Sequence, residues 1–189
     1  TIAGKSPESP NAALAKRELV REAALAICKL GEPGRAADVL GMVRRYHGRQ
    51  HAGQFPPAIA RDLYSKHCQR GGRVLDPCAG WGGRLIGWLC AQLGGNYLGF
   101  DASAESVKSA ERMIADLGIE GARVVHGAYE DQRLEAESFD FAFTSPPYFN
   151  LETYSQDGEQ STVRYPSYRK WCDGVMRPFI ANTLRAIEP

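Results

Sequence analysis

One segment constrains the fold more than any other: Val74-Leu75-Asp76-Pro77-Cys78-Ala79-Gly80-Trp81-Gly82-Gly83-Arg84. A short apolar run ends in an Asp-Pro exit and breaks into a glycine-rich turn. A brief apolar run closed by turn residues reads as a buried strand. Glycines let the chain turn tightly and approach a ligand with no Cβ in the way. A second segment answers it, Thr144-Ser145-Pro146-Pro147-Tyr148. It ends another apolar run in a rigid corner, because two successive prolines fix φ and remove two backbone donors.

The pattern around these segments is strand, helix, strand. Strands are predicted at Arg73–Asp76, Tyr97–Asp101, Arg123–His126 and Phe139–Thr144. Helices are predicted between them at Leu85–Leu93 and Ser103–Leu117. Such alternation implies a parallel sheet with right-handed crossovers. Pro57 opens an earlier helix that runs to about Gln69. A long loop, Phe149 to Pro166, precedes a last helix from Tyr168 to about Ala186, bent at Pro178. Upstream, residues 1–10 read as a loose tail. Residues 11–54 form a helical segment: one helix capped by Asn11 and stopped at Gly31, another over Arg35–Tyr46.

Composition sets outer limits. The chain of 189 residues can build a substantial core. A net charge of +1 carries no chain-wide signal for nucleic acid, so a basic surface must be local. Five cysteines occur without a Cys-x-x-Cys pair, which fits buried thiols in a reducing cytoplasm rather than metal or disulfide roles. No metal site is expected. No apolar run approaches the roughly 20 residues of a membrane span.

Parallel sheets bind ligands beyond the carboxyl ends of their strands. Asp76 stands at one such end. Roughly twenty residues later Asp101 ends the second strand, where a carboxylate can accept from two ribose hydroxyls. That spacing also suits a dinucleotide enzyme. The glycines here, however, run Gly-x-Gly-Gly and follow an acidic exit. An acidic exit repels pyrophosphate and suits S-adenosylmethionine, which is cationic at its reacting end. Glu130, after the third strand, could reach an adenine or remain solvated surface. At the second corner the Ser145 hydroxyl and Pro146 carbonyl could accept both hydrogens of a planar amine while Tyr148 stacks on its ring. Orientation and proximity would then supply most of the rate.

Asp76-Pro-Cys-Ala-Gly-Trp-Gly-Gly and Ser145-Pro-Pro-Tyr148 resemble the cofactor and catalytic motifs of the S-adenosylmethionine-dependent DNA amino-methyltransferases. Gln54-Phe55-Pro56-Pro57 is similar to the segment that precedes the cofactor motif in that family and closes over the methionine moiety. The resemblance covers roughly Phe55 to Thr183. It implies an α/β class I methyltransferase fold, a Rossmann-like parallel sheet with helices on both faces, over residues 55–189. It implies that Phe55, Asp76, Cys78, Ala79, Gly80, Gly82, Asp101, Ala102 and Glu130 bind the cofactor. It implies that Ser145, Pro146, Pro147 and Tyr148 hold the target amine. The Ser form of the catalytic motif favours N4 of cytosine over N6 of adenine. Three positions depart from the pattern: Trp81 replaces a small residue, Arg84 a usual threonine, and Ala128 a common acid. The family also carries further C-terminal strands after its final helix. Without them the apolar Phe139–Phe143 strand would be an open edge, so the expectation is either that the sequence is a fragment or that a second chain or segment completes the sheet.

Arg44, Arg45 and Arg49 make the densest basic run and could contact phosphates, or simply solvate a helix end. Arg164, Tyr165, Tyr168, Arg169 and Lys170 follow the second corner and could grip an extruded nucleotide. The expectation is a cytoplasmic DNA methyltransferase of a restriction-modification, phage or regulatory kind. Alternatives are methylation of RNA or of a nucleobase-like small molecule, and a non-catalytic subunit that depends on a partner.

Overall fold

The computed structural model describes residues 54–149, 158 and 160–187, all within the unit Gly53–Pro189. The helices expected upstream of residue 54, with Arg44, Arg45 and Arg49, lie outside the described residues.

Proline opens α1 (Pro57–His67) in its first turn, where the missing N–H is not needed. Then follow β1 (Arg73–Asp76), α2 (Gly83–Ala91), β2 (Asn96–Asp101), α3 (Ala104–Asp116) and β3 (Ala122–His126). A 3₁₀ turn (Tyr129–Asp131) leads to β4 (Phe141–Ala142). The C-terminal part comprises α4 (Ser161–Arg164), α5 (Tyr168–Trp171), a π-helical turn (Cys172–Met176) and α6 (Arg177–Ala186).

The sheet has the order β3-β2-β1-β4. Every pairing is parallel, with Leu75 opposite Leu98 and Ala142, and Gly99 opposite Val124. The fold is the Rossmann-like α/β sheet of class I methyltransferases. Strand connections reverse direction at β1, which has β2 on one side and β4 on the other. That is the switch point where such sheets open a crevice for ligands.

Side chains alternate across the sheet, so neighbouring residues of β1 enter different cores. Val74 packs with Tyr64, Leu85, Trp88, Tyr97 and Val107, under α1, α2 and α3. Leu75 packs with Phe100, Tyr129, Phe139 and Phe179, under α6. Helices therefore cover both faces.

Three expectations need correction. The regular part of β4 is shorter than Phe139–Thr144. Its paired backbone nonetheless runs further, since the N–H groups of Asp140 and Phe143 donate to Arg73 and Leu75 carbonyls at 2.9 Å each. The far side of β4 is not wholly open. Ile187 forms a parallel bridge to Phe139, and the Phe139 N–H donates to the Ala186 carbonyl at 2.9 Å. Finally, α4 lies inside the segment read as loop.

Pro178 does not break the last helix. The preceding turn widens to π spacing, and Pro178 falls within the first two residues of α6, where its lack of an N–H is tolerated.

Candidate cofactor and substrate site

Three backbone N–H groups stitch the turn after β1 to β2 and to the segment just beyond β4. The Ala79 N–H donates to the Phe100 carbonyl at 2.8 Å. The Gly80 N–H donates to Asp101 Oδ2 at 2.8 Å. The Cys78 N–H donates to Thr144 Oγ1 at 3.0 Å. Two glycines make the path possible. Gly80 takes φ +57°, and no atom lies within 4 Å of where its Cβ would be, so the backbone faces open space. Gly82 takes φ +82°, and a Cβ there would stand 2.6 Å from Met113 Cε.

Asp76 lies beneath the turn rather than on its open side. It is fully buried, at 0% exposure. Its Oδ2 accepts from Arg84 Nε at 2.9 Å and from the Tyr97 hydroxyl at 2.6 Å. Its Oδ1 lies 3.3 Å from the Cys78 N–H. Arg84 also donates through Nη2 to the Cys78 carbonyl. Burial is the largest single influence and acts to lower the Arg84 pKa, but the charge and hydrogen bond of Asp76, with Tyr97 and Tyr64, together raise it, so the guanidinium stays charged. The strand exit is therefore an ion pair, not the net acid that the sequence suggested. Asp76 and Arg84 brace the turn from below.

Asp101 is the carboxylate at the rim. Oδ1 accepts from the Ser103 N–H at 2.9 Å, and Oδ2 from Gly80. A carboxylate has about four lone-pair sites, so about two remain for a diol. Burial raises its pKa, partly offset by those two N–H groups. The Ala102 carbonyl lies 3.2 Å from His126 Nε2, which ties the loop after β2 to β3.

Phe55 sits 5.6 Å from the Arg84 guanidinium and packs edge-on to Phe143, centroids 5.2 Å apart. It packs between Arg84 of α2 and Phe143 just after β4. Glu130 is held in an ion pair. Arg164 Nη1 reaches Glu130 Oε1 at 3.1 Å, and Nη2 reaches Asp131 Oδ2 at 2.8 Å. The expected adenine ligand and an expected phosphate ligand thus engage each other.

Across the crevice, Ser145, Pro146 and Pro147 are half-buried and Tyr148 is exposed. They follow Thr144, so the Thr144–Cys78 bond sets the corner beside the turn. Arg169 and Lys170 are exposed on α5.

The methyltransferase-domain family profile matches residues 74–158, from β1 through this corner. That match takes in both the glycine turn and the Ser-Pro-Pro corner. Two solved structures with TM-scores above 0.5 agree in fold. A Methanococcus maripaludis protein named for S-adenosyl-L-methionine-dependent methyltransferase activity is 14% identical, with TM-score 0.51, over 100% of this chain and 64% of its own. A protein named PH0851 is 15% identical, with TM-score 0.53, over 74% of this chain and 32% of its own. The YcgJ protein of Bacillus subtilis is 26% identical over 46% of this chain and 37% of its own, with TM-score 0.40. The chain thus spans about a third to two thirds of the length of these structures. Comparison with curated proteins finds no match.

The site holds two features that the motifs did not reveal. The first is the Arg84 brace, visible in sequence only as a departure from the family pattern. The second is Phe149. It has the left-handed φ of +37° and joins Tyr168 and Trp171 in an aromatic cluster. Cys78, although inside the site, is no nucleophile. Burial first, then Asp76 and Asp101, push its thiol well above the usual range, so it stays neutral.

Proposed function

We propose that the chain transfers a methyl group from S-adenosylmethionine to the exocyclic amino nitrogen of a DNA base, N4 of cytosine before N6 of adenine. The observation that carries this reading is the Thr144–Cys78 hydrogen bond, which puts the Ser-Pro-Pro-Tyr corner next to the glycine turn.

The residues present fit the cofactor. The Gly80 backbone opens onto free space, and Asp101 keeps acceptor capacity at the rim. Asp101 would accept from the ribose hydroxyls. The Cys78–Gly80 backbone and Gly82 would line the methionine end, held in shape by Asp76 and Arg84. Phe55 supports that wall, and Ala102 and Glu130 lie on loops that flank the adenosine side. When bound, the cofactor supplies an electrophilic methyl group.

The chain's own residues then position the amine. The Ser145 hydroxyl and Pro146 carbonyl accept its two hydrogens and leave the nitrogen lone pair aimed at the methyl. Pro147 keeps the corner rigid, and Tyr148 stacks on the ring. No thiolate takes part, since attack by nitrogen needs none and the Cys78 thiol is neutral. In duplex DNA the target base must leave the helix, at a cost of a few kcal/mol. Ser rather than Asp at the head of the corner supports cytosine.

Tritium transfer from labelled cofactor to DNA, RNA and free nucleosides tests the reading. Label in DNA alone is expected. Label only in RNA or nucleosides would move the substrate, and label in none would favour a partner-dependent subunit.

A further inference from the structure

We propose that Tyr168 is a stacking platform for a base next to the target, with Arg169 and Lys170 on the adjoining phosphates. This rests on the nucleic-acid reading above and deepens it, because it makes the substrate a polynucleotide rather than a free base.

Position comes first. Phe149 directly follows Tyr148, and its ring meets Tyr168 at 5.5 Å and Trp171 at 5.6 Å. Tyr168 is therefore coupled to the substrate corner through one side chain. Phe149 adopts φ +37°, a conformation that bulky residues rarely take. That backbone turn carries its ring into contact with both α5 aromatics. Strain of this kind collects at functional sites.

The geometry of the rings comes next. Tyr168 lies nearly parallel to Trp171, with an interplanar angle of 21° and centroids 6.1 Å apart. Trp171 is only 5% exposed, and its indole N–H donates to Ser161 Oγ at 3.2 Å. It is a fixed base. Tyr168 rests on it and remains 64% exposed. A tyrosine present only to fill the core would be covered. One held against an anchored indole and the Phe149 ring yet still mostly exposed offers a surface to another flat ring. The Ser167 hydroxyl caps α5 by accepting from the Lys170 N–H at 3.3 Å, which fixes the ring's direction.

Charge completes the case. Arg169 and Lys170 follow Tyr168 directly in α5 and are exposed. Arg164, by contrast, is engaged by Glu130 and Asp131. Aromatic faces flanked by cations suit stacked bases on a phosphate backbone. A free nucleobase would use Tyr148 and leave this second surface idle.

The test compares wild type, Tyr168→Ala and Tyr168→Phe on a mixed-sequence single-stranded oligodeoxynucleotide and on an abasic strand of equal length. Stacking one base is worth about 5- to 140-fold in affinity, from about 1–3 kcal/mol at 1.4 kcal/mol per tenfold. Tyr168→Ala should lose that on the oligonucleotide, lose nothing on the abasic strand, and keep cofactor affinity. Tyr168→Phe should bind like wild type. Arg169→Ala with Lys170→Ala should flatten the log–log salt slope by about 1.4, for two phosphates on a single strand. Equal losses for Tyr168→Ala on both strands, or no loss on either, would overturn the platform alone. A wild type that labels free nucleosides but binds no oligonucleotide would overturn both the platform and the DNA reading.

Discussion

The Cys78 N–H donates to the Thr144 hydroxyl at 3.0 Å, joining the turn after β1 to the residue that begins the Ser-Pro-Pro corner. Cofactor and amine would be held by two loops, and this bond sets their spacing. Thr144→Val should therefore lower the rate of methyl transfer by at least tenfold with cofactor affinity changed much less. Thr144→Ser keeps the acceptor and should restore the rate. Single-turnover kinetics on both variants would separate the effects. Full activity in Thr144→Val would show that the bond does not set the geometry.

Asp76 and Arg84 form a buried pair beneath the same turn. Removing one partner leaves a buried charge, at a cost of about 3–5 kcal/mol. Arg84→Met should show that loss in urea unfolding. The double variant Asp76→Asn with Arg84→Met should be more stable than the single one, because no charge is stranded. An Arg84→Met protein as stable as wild type would remove the brace from the account.

Asp101 carries a pH signature. Its pKa is raised, chiefly by burial, above the ordinary value of 3.8. Only the ionised form accepts from both hydroxyls of a diol. Cofactor affinity should be full above the raised pKa and fall as pH drops through it, at a higher pH than for an exposed aspartate. Asp101→Ala should cost about 1.5–3 kcal/mol of affinity and flatten the profile. Calorimetry across pH reads both, and an unchanged affinity in Asp101→Ala would displace this residue from the ribose.

Trp81 gives an optical readout. It is 55% exposed in the glycine turn, while Trp88 and Trp171 are each 5% exposed. Cofactor binding should change the tryptophan fluorescence, and Trp81→Phe should abolish that change. A signal that survives in Trp81→Phe would place the ligand elsewhere.

Tyr148 faces solvent on the substrate side. Tyr148→Ala should slow methyl transfer by an amount corresponding to about 1–3 kcal/mol of base stacking, with cofactor binding intact. Equal falls in both would make Tyr148 part of the cofactor wall instead.

The sheet was legible because its evidence is local. β1 matches its predicted span, and β2, β3 and α3 lie within a residue of theirs at each end, since alternation of apolar runs with turn residues marks them directly. β4 was less so, because its pairing partners, Arg73 and Leu75 on one side and Ala186 on the other, are distant in sequence. The site divides the same way. Glycine spacing marks the turn, and the paired prolines mark the corner. What the sequence could not show is who neutralises whom. Asp76 and Glu130 look like free acids at strand ends, yet Arg84 lies one helical entry away and Arg164 approaches from a separate element. Charge pairing is a tertiary property, and so is the ring contact of Phe149 with Trp171.

The central claim is methyl transfer to an exocyclic amine at the Ser145–Tyr148 corner. Mass spectrometry of DNA hydrolysed after incubation with methyl-labelled S-adenosylmethionine tests it most directly. The account predicts label on an exocyclic nitrogen, as N4-methylcytosine ahead of N6-methyladenine, and a marked fall in it when Ser145→Ala removes the hydroxyl acceptor. Label on carbon-5 of cytosine would contradict it, since that chemistry needs a cysteine nucleophile and the corner contains none.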